Sequence, residues 1–199
     1  MRIVTIAALS LLLAPILVAQ TSTPLAAAAG KSTDNSNCGL LYGKNHALTF
    51  CAPDGWVLDN SIMNDQGIYA VFYPQGSTWE EARDHGTFMY INVVSRSPNS
   101  TVAKMMADDK EETMHHSPST IVSEGQTIEI GKAPVPVQRF DLGANSGSEA
   151  VAYICEEKVL VMFVISSTSQ VGLTRDYPAF VSLVRSYKFL GSNVTIQQK

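Results

Sequence analysis

Val159-Leu160-Val161-Met162-Phe163-Val164-Ile165 is an unbroken run of seven apolar residues. It is too short to cross a bilayer, which takes about 20 residues of helix. It offers no polar side to water, so as a strand it needs cover on both faces. Just upstream, Ala150 to Cys155 is a second apolar stretch, and Glu156-Glu157-Lys158 makes a turn between the two. The pair predicts a hairpin at the middle of a sheet with a layer on each side.

Working outward, short apolar segments alternate with turn chemistry. His46 to Pro53 reads as a strand stopped by Pro53-Asp54-Gly55, and Trp56-Val57-Leu58 resumes it. Ile68 to Tyr73 is a strand ending at Pro74-Gln75-Gly76, and Thr87 to Val94 is a strand apolar on both faces. Further strands are expected at Ile121-Val122, Thr127 to Ile130 and Val135 to Leu142, the last two joined by Gly131-Lys132-Ala133-Pro134. Three helices are expected. Thr78 to Arg83 makes one turn or two, capped by Ser77 or Thr78 and stopped by Gly86. Ser100 to His115 has an apolar stripe of Val102, Ala103, Met106, Ala107 and Met114, with Asp108, Asp109, Glu111 and Glu112 on its wet face. The last helix is capped by Asp176, with Pro178 in its first turn and Tyr177, Phe180, Val181, Val184 and Tyr187 on its core face. The fold class that follows is α+β: an α/β/α sandwich with a central, mostly antiparallel sheet. A domain of ~150 residues buries about 68–70% of its surface, so the core needs no metal to hold it.

The chain has 199 residues, 45% hydrophobic, 16% charged and 8% aromatic, with a net charge of −4. That is enough apolar material for a core and too little charge for a disordered chain. The absence of any polybasic run disfavours nucleic acid and anionic lipid surfaces as partners. Arg2 is the only charge before Lys31, and Ile3 to Ala19 is apolar with Ser10 and Pro15 inside it. This pattern reads as a secretory signal peptide over 1–19, the alternative being an uncleaved anchor. Cleavage can follow Leu17-Val18-Ala19 or, less well placed, Ala27-Ala28-Ala29. Residues 20–37 read as a flexible tether, 38–191 as the folded domain and 192–199 as a polar tail. No stable membrane span is expected after processing, and the location expected is periplasmic or secreted.

Export permits disulfides. Cys38 and Cys51 flank GLLYGKNHALTF, and a hairpin turning at Lys44-Asn45 sets them opposite each other. Opposite Cα atoms in an antiparallel ladder lie roughly 4.5–5.5 Å apart, within disulfide reach, so a Cys38–Cys51 bond is expected. Cys155 is left as a small core hydrophobe.

Phe50-Cys51-Ala52-Pro53-Asp54-Gly55-Trp56 matches the F-x-x-P-x-G-W opening of PsbP-like proteins, and Ser186-Tyr187-Lys188-Phe189 resembles their closing segment. The chain thus resembles the PsbP-like family, which includes the DcrB group, from about His46 to Leu190. The resemblance implies an α/β/α sandwich and an exported, mostly non-catalytic module that binds or supports partners. It carries no photosynthetic role to this chain.

Catalytic signatures fail. Gly143 to Gly147 is not G-x-S-x-G, and Gly125 to Lys132 departs from a phosphate loop in spacing and in the residue after the lysine. Glu111/His115 and Glu112/His116 are i, i+4 pairs, as is Glu81/His85 if its turn stays helical. Such pairs put a carboxylate and an imidazole on one helix face, where a divalent metal can sit if further ligands arrive. Trp79, Tyr73 and Trp56 are the aromatic candidates for a ligand or partner groove, Trp79 because it stands in a polar segment. Asn99-Ser100-Thr101 and Asn193-Val194-Thr195 are glycosylation sequons.

The reading is an exported, non-enzymatic binding or accessory module of the cell envelope or extracellular space. Its partner is a protein there or a small apolar ligand, and no cofactor is implied. The alternative is a metal-binding protein or weak metal-assisted hydrolase using Glu81/His85 or Glu111, Glu112, His115 and His116.

Overall fold

A computed structural model of the chain describes residues 37–61, 70–97, 99–143 and 147–193. The leader, nearly all of the tether, Ile68, Tyr69, the middle of Gly143 to Gly147, and the end of the tail with its sequon lie outside the described residues.

Among the described residues, twelve strands and three helices follow in chain order: β1 (Cys38–Gly43), β2 (His46–Cys51), β3 (Trp56–Asp59), β4 (Ala70–Pro74), α1 (Trp79–His85), β5 (Thr87–Ser95), α2 (Val102–His116), β6 (Ile121–Glu124), β7 (Ile128–Ile130), β8 (Ala133–Val135), β9 (Val137–Asp141), β10 (Ser148–Cys155), β11 (Val159–Ser167), α3 (Gln170–Arg185) and β12 (Lys188–Gly191). A seven-stranded sheet runs β3-β4-β5-β11-β10-β9-β6, with a three-stranded sheet β1-β2-β12 and a hairpin β7-β8 beside it. Every described ladder is antiparallel.

The apolar run is β11, at the centre of the large sheet and buried along its whole length. Its side chains alternate between two cores, as the period of two requires. Val159, Val161, Phe163 and Ile165 join the core built with α3 and the three-stranded sheet. Met162 and Val164 join the opposite core, under α2. A third cluster, under α1, holds Val71, Trp79, Ala82 and Phe88. The α+β sandwich expected from the sequence is the fold observed.

The Cys38–Cys51 disulfide is present in the expected register, with Cα atoms 3.8 Å apart, closer than the ladder spacing predicted. Asn45 turns the hairpin with φ of 72°. Cys155 carries a free thiol and is only partly buried.

Two expectations need correction. First, α3 begins at Gln170, capped by Ser169, not at Asp176. Pro178 therefore stands inside the helix, and Leu173 and Leu183 join Phe180 and Val184 on the buried face. Tyr187 lies past the helix end, with its ring 5.7 Å from Phe163 and its hydroxyl donating to Glu156 Oε1 at 2.8 Å. Second, Ala103, Ala107 and Met114 on α2 are exposed, while Met105 packs with Val102 and Met106. Asp109, expected on the wet face, turns inward to Tyr153. Lys188–Gly191, the last residues of the expected folded domain, is a strand that pairs with β2. Ser186 ties that end down: its hydroxyl accepts from the Cys51 amide at 2.8 Å and donates to the Leu183 carbonyl at 2.6 Å.

A candidate binding cleft at the β6 edge

Strand β6 closes one end of the large sheet and, among the described residues, has a strand on one side only, β9. Its register sets Ile121 opposite Asp141 and Ser123 opposite Arg139. The Gly125 amide donates to the Val137 carbonyl in the same register at 2.8 Å. Hydrogen-bonded and non-hydrogen-bonded pairs alternate along an antiparallel ladder. Ile121 and Ser123 therefore bond to β9, while the backbone groups of Val122 and Glu124 face the open edge. Ile121 is 69% exposed, an unusual state for a strand isoleucine.

Two open cavities meet here. One, of about 390 Å³, is lined by Ser119, Gly143, Ser148, Thr168 and Ser169 among others. The other, of about 290 Å³, is lined by Ser123, Glu124, Arg139 and Leu173 among others. Both include Ile121, Asp141 and Gln170, so they form one cleft. Its floor is the end of β6 and β9 on the α3 side, and its wall is the first turn of α3. Arg139 reaches across the floor with its guanidinium carbon 5.5 Å from the Tyr177 ring centre. Tyr177 in turn donates to the Gln126 carbonyl at 3.5 Å. The cleft thus offers an isoleucine, a guanidinium, hydroxyls and carboxylates beside unpaired strand backbone. It is suited to holding a polypeptide by its main chain.

A hydroxyl network, buried at Thr87 and Ser167, braces the wall. Thr87 Oγ1 donates to Ser167 Oγ at 2.9 Å, and Ser169 Oγ accepts from the Gly172 amide at 3.1 Å as the helix cap. Asp176 sits over this network. Burial alone would raise its carboxyl, but the hydrogen bonds and charge of Arg175 outweigh that and hold it below the ordinary range.

The residues singled out from the sequence lie elsewhere and do not gather into one groove. Trp79 is buried, with its ring edge-on to Phe88 at 5.1 Å. It and Ala82 form the apolar side of α1, which explains a tryptophan in so polar a segment. Tyr73 packs beside that cluster and its hydroxyl donates to Asp59 Oδ2 at 2.9 Å. Trp56 is buried in the α3-side core, on the other face of the sheet. Glu81 serves as a cap: its Oε2 accepts from the Thr78 amide at 3.0 Å and from Ser77 Oγ at 3.3 Å. Those bonds, the Thr78 one first, hold its carboxyl below the usual range. His85 ends the same helix. Glu111, Glu112, His115 and His116 are all exposed on the last turns of α2, the two imidazoles 5.3 Å apart. Among the described residues no three His, Cys, Asp or Glu side chains converge.

Sequence reasoning missed Ile121, Arg139, Asp141 and Gln170 as a group. The available signal was Arg139, a cation amid the apolar alternation of Val135 to Leu142. Its neighbours come from β6 and α3, distant in the chain.

No family model matches the chain, and no curated protein matches it. Solved structures do. The chain is similar to cyanobacterial PsbP (CyanoP) from Synechocystis sp. PCC 6803, with 11% identity, a TM-score of 0.52, and coverage of 82% of this chain and 98% of that one. It is also similar to the Ran-binding protein Mog1p of Saccharomyces cerevisiae, with 14% identity, a TM-score of 0.50, and coverage of 77% and 95%. At such identities the likeness is one of fold: the chain has a PsbP-like fold, shared with Mog1p.

Proposed function

We propose that this chain is an exported, non-enzymatic accessory module that binds a partner protein in the cell envelope or outside the cell. The partner adds an extended segment to β6, with its side chains resting in the cleft. The observation that carries this reading is the open β6 edge beside the cleft, with Ile121 exposed and the Val122 and Glu124 backbone groups facing outward. The apolar leader supports export, and the Cys38–Cys51 bond is compatible with an oxidising compartment.

The test is capture from an envelope extract on immobilised protein. Ile121→Lys removes the apolar anchor. Glu124→Pro removes an outward N–H at an edge position, where proline is tolerated. A saturable partner whose capture is lost in both variants, with their melting temperatures near that of the parent, supports the reading. Capture that both variants retain, or no saturable partner at all, overturns it.

A further inference from the structure

The layer over the second core is thin. The 15-residue helix α2 has no fully buried residue, whereas Phe140, Leu142, Val151, Tyr153, Met162 and Val164 beneath it are all buried. From α2, Val102, Met105 and Met106 press part-buried apolar side chains onto that surface. A polar contact runs through it. Tyr153 is 1% exposed, and its hydroxyl donates to Asp109 Oδ2 of α2 at 2.5 Å, with Gln138 Oε1 3.2 Å away. Burial pushes the Tyr153 phenol far above its ordinary value, and the Asp109 charge adds to this, so the hydroxyl keeps its proton.

We propose that α2 is a latched lid: it lifts from the sheet as a unit while the sheet stays folded, and the Tyr153–Asp109 hydrogen bond is the latch. The argument is one of unequal burial. The elements that open first are those with few buried apolar contacts. Here β10 and β11 are buried in the middle of the sheet, while the apolar side chains that α2 lays on it are part-buried, with the latch beside them. Short connections lead into α2 over 99–101 and out of it over 117–120. The opening bares the apolar face around Val151, Met162 and Val164. This face lies on the opposite side of the sheet from the floor of the β6 cleft, and the exchange experiment below reads α2 with no partner present.

Hydrogen exchange read by mass spectrometry on the full chain tests it. In the parent, amides of Val102–His116 should exchange faster than those of β10 and β11. Tyr153→Phe removes the donor and keeps the ring, and should speed α2 exchange roughly 10- to 100-fold, the range for a hydrogen bond to a charged group, with β11 unchanged. Asp109→Ala, at a part-exposed helix position, should do the same, and Asp109→Asn, which keeps an acceptor, should restore part of the protection. Equal exchange of α2 and β11 in the parent overturns the proposal. So do variants that leave α2 unchanged or that accelerate α2 and β11 together.

Discussion

Replacing Gly172 with alanine sets two effects against each other. Alanine in a helix is worth up to about 1 kcal/mol over glycine. Gly172 lies in the first turn of α3, so the propensity gain is at most that. Against it, a Cβ at this position falls well inside van der Waals contact with Ser167 Oγ and 3.2 Å from both Ser169 Oγ and Thr87 Oγ1. Ser167 cannot simply turn away, because its hydroxyl is the buried acceptor for Thr87. Overpacking costs about 1–3 kcal/mol, and a buried hydroxyl left without a partner costs about as much again. The loss wins, and Gly172→Ala should destabilise the domain by about 1–3 kcal/mol. For a domain of this size that is a fall of roughly 3–9 °C in the melting midpoint. The assay is thermal unfolding by circular dichroism, run also in a Ser167→Ala background. Removing Ser167 Oγ removes the clash, so the same Gly172→Ala change should there cost nothing or stabilise slightly. A rise in midpoint on the Ser167 background, or an equal fall on both, would refute the close-packing argument.

Phe163→Ala should cost about 3–5 kcal/mol in urea unfolding, because the ring is fully buried and meets Tyr187 edge-on; a cost below about 1 kcal/mol would mean that the faces of β11 are misassigned. Asp176 is depressed in the folded state, so its stabilising contribution is present above the unfolded carboxyl value and is lost as pH falls through the folded one. Asp176→Asn should therefore narrow the difference in urea midpoint between pH 7 and pH 3, and an unchanged difference would remove this role. Thiol labelling of the unfolded, unreduced chain should find Cys155 alone, and reduction should cost about 2–4 kcal/mol of stability; label on Cys38 or Cys51 before reduction would contradict the hairpin pairing.

What could be read in the sequence was local. The apolar run of β11 declares its two-sided burial, and the hairpin from Cys38 to Cys51 follows from one turn and a count. The start of α3 was hidden by Gly172 and Pro178, which look like breakers. Glycine is there because Ser167 and Thr87 crowd it, a contact with distant strands. The face of α2 was misread for a similar reason: Asp109 resembles any exposed carboxylate until Tyr153, on β10, is brought beneath it. Trp79 was a groove candidate because of its polar neighbours, yet the short helix turns those neighbours outward and the ring inward. The cleft combines β6, β9 and the first turn of α3, and no window of sequence contains all three.

The docking claim is tested most directly by amide protection at the β6 edge. Amide exchange by NMR would be followed for the chain alone and with its captured partner. Strand addition predicts that the Val122 and Glu124 amides, which face outward from β9, become protected in the complex, while Ile121 and Ser123, already paired, change little. Unchanged exchange at Val122 and Glu124 in a saturated complex, with protection appearing elsewhere, would contradict it.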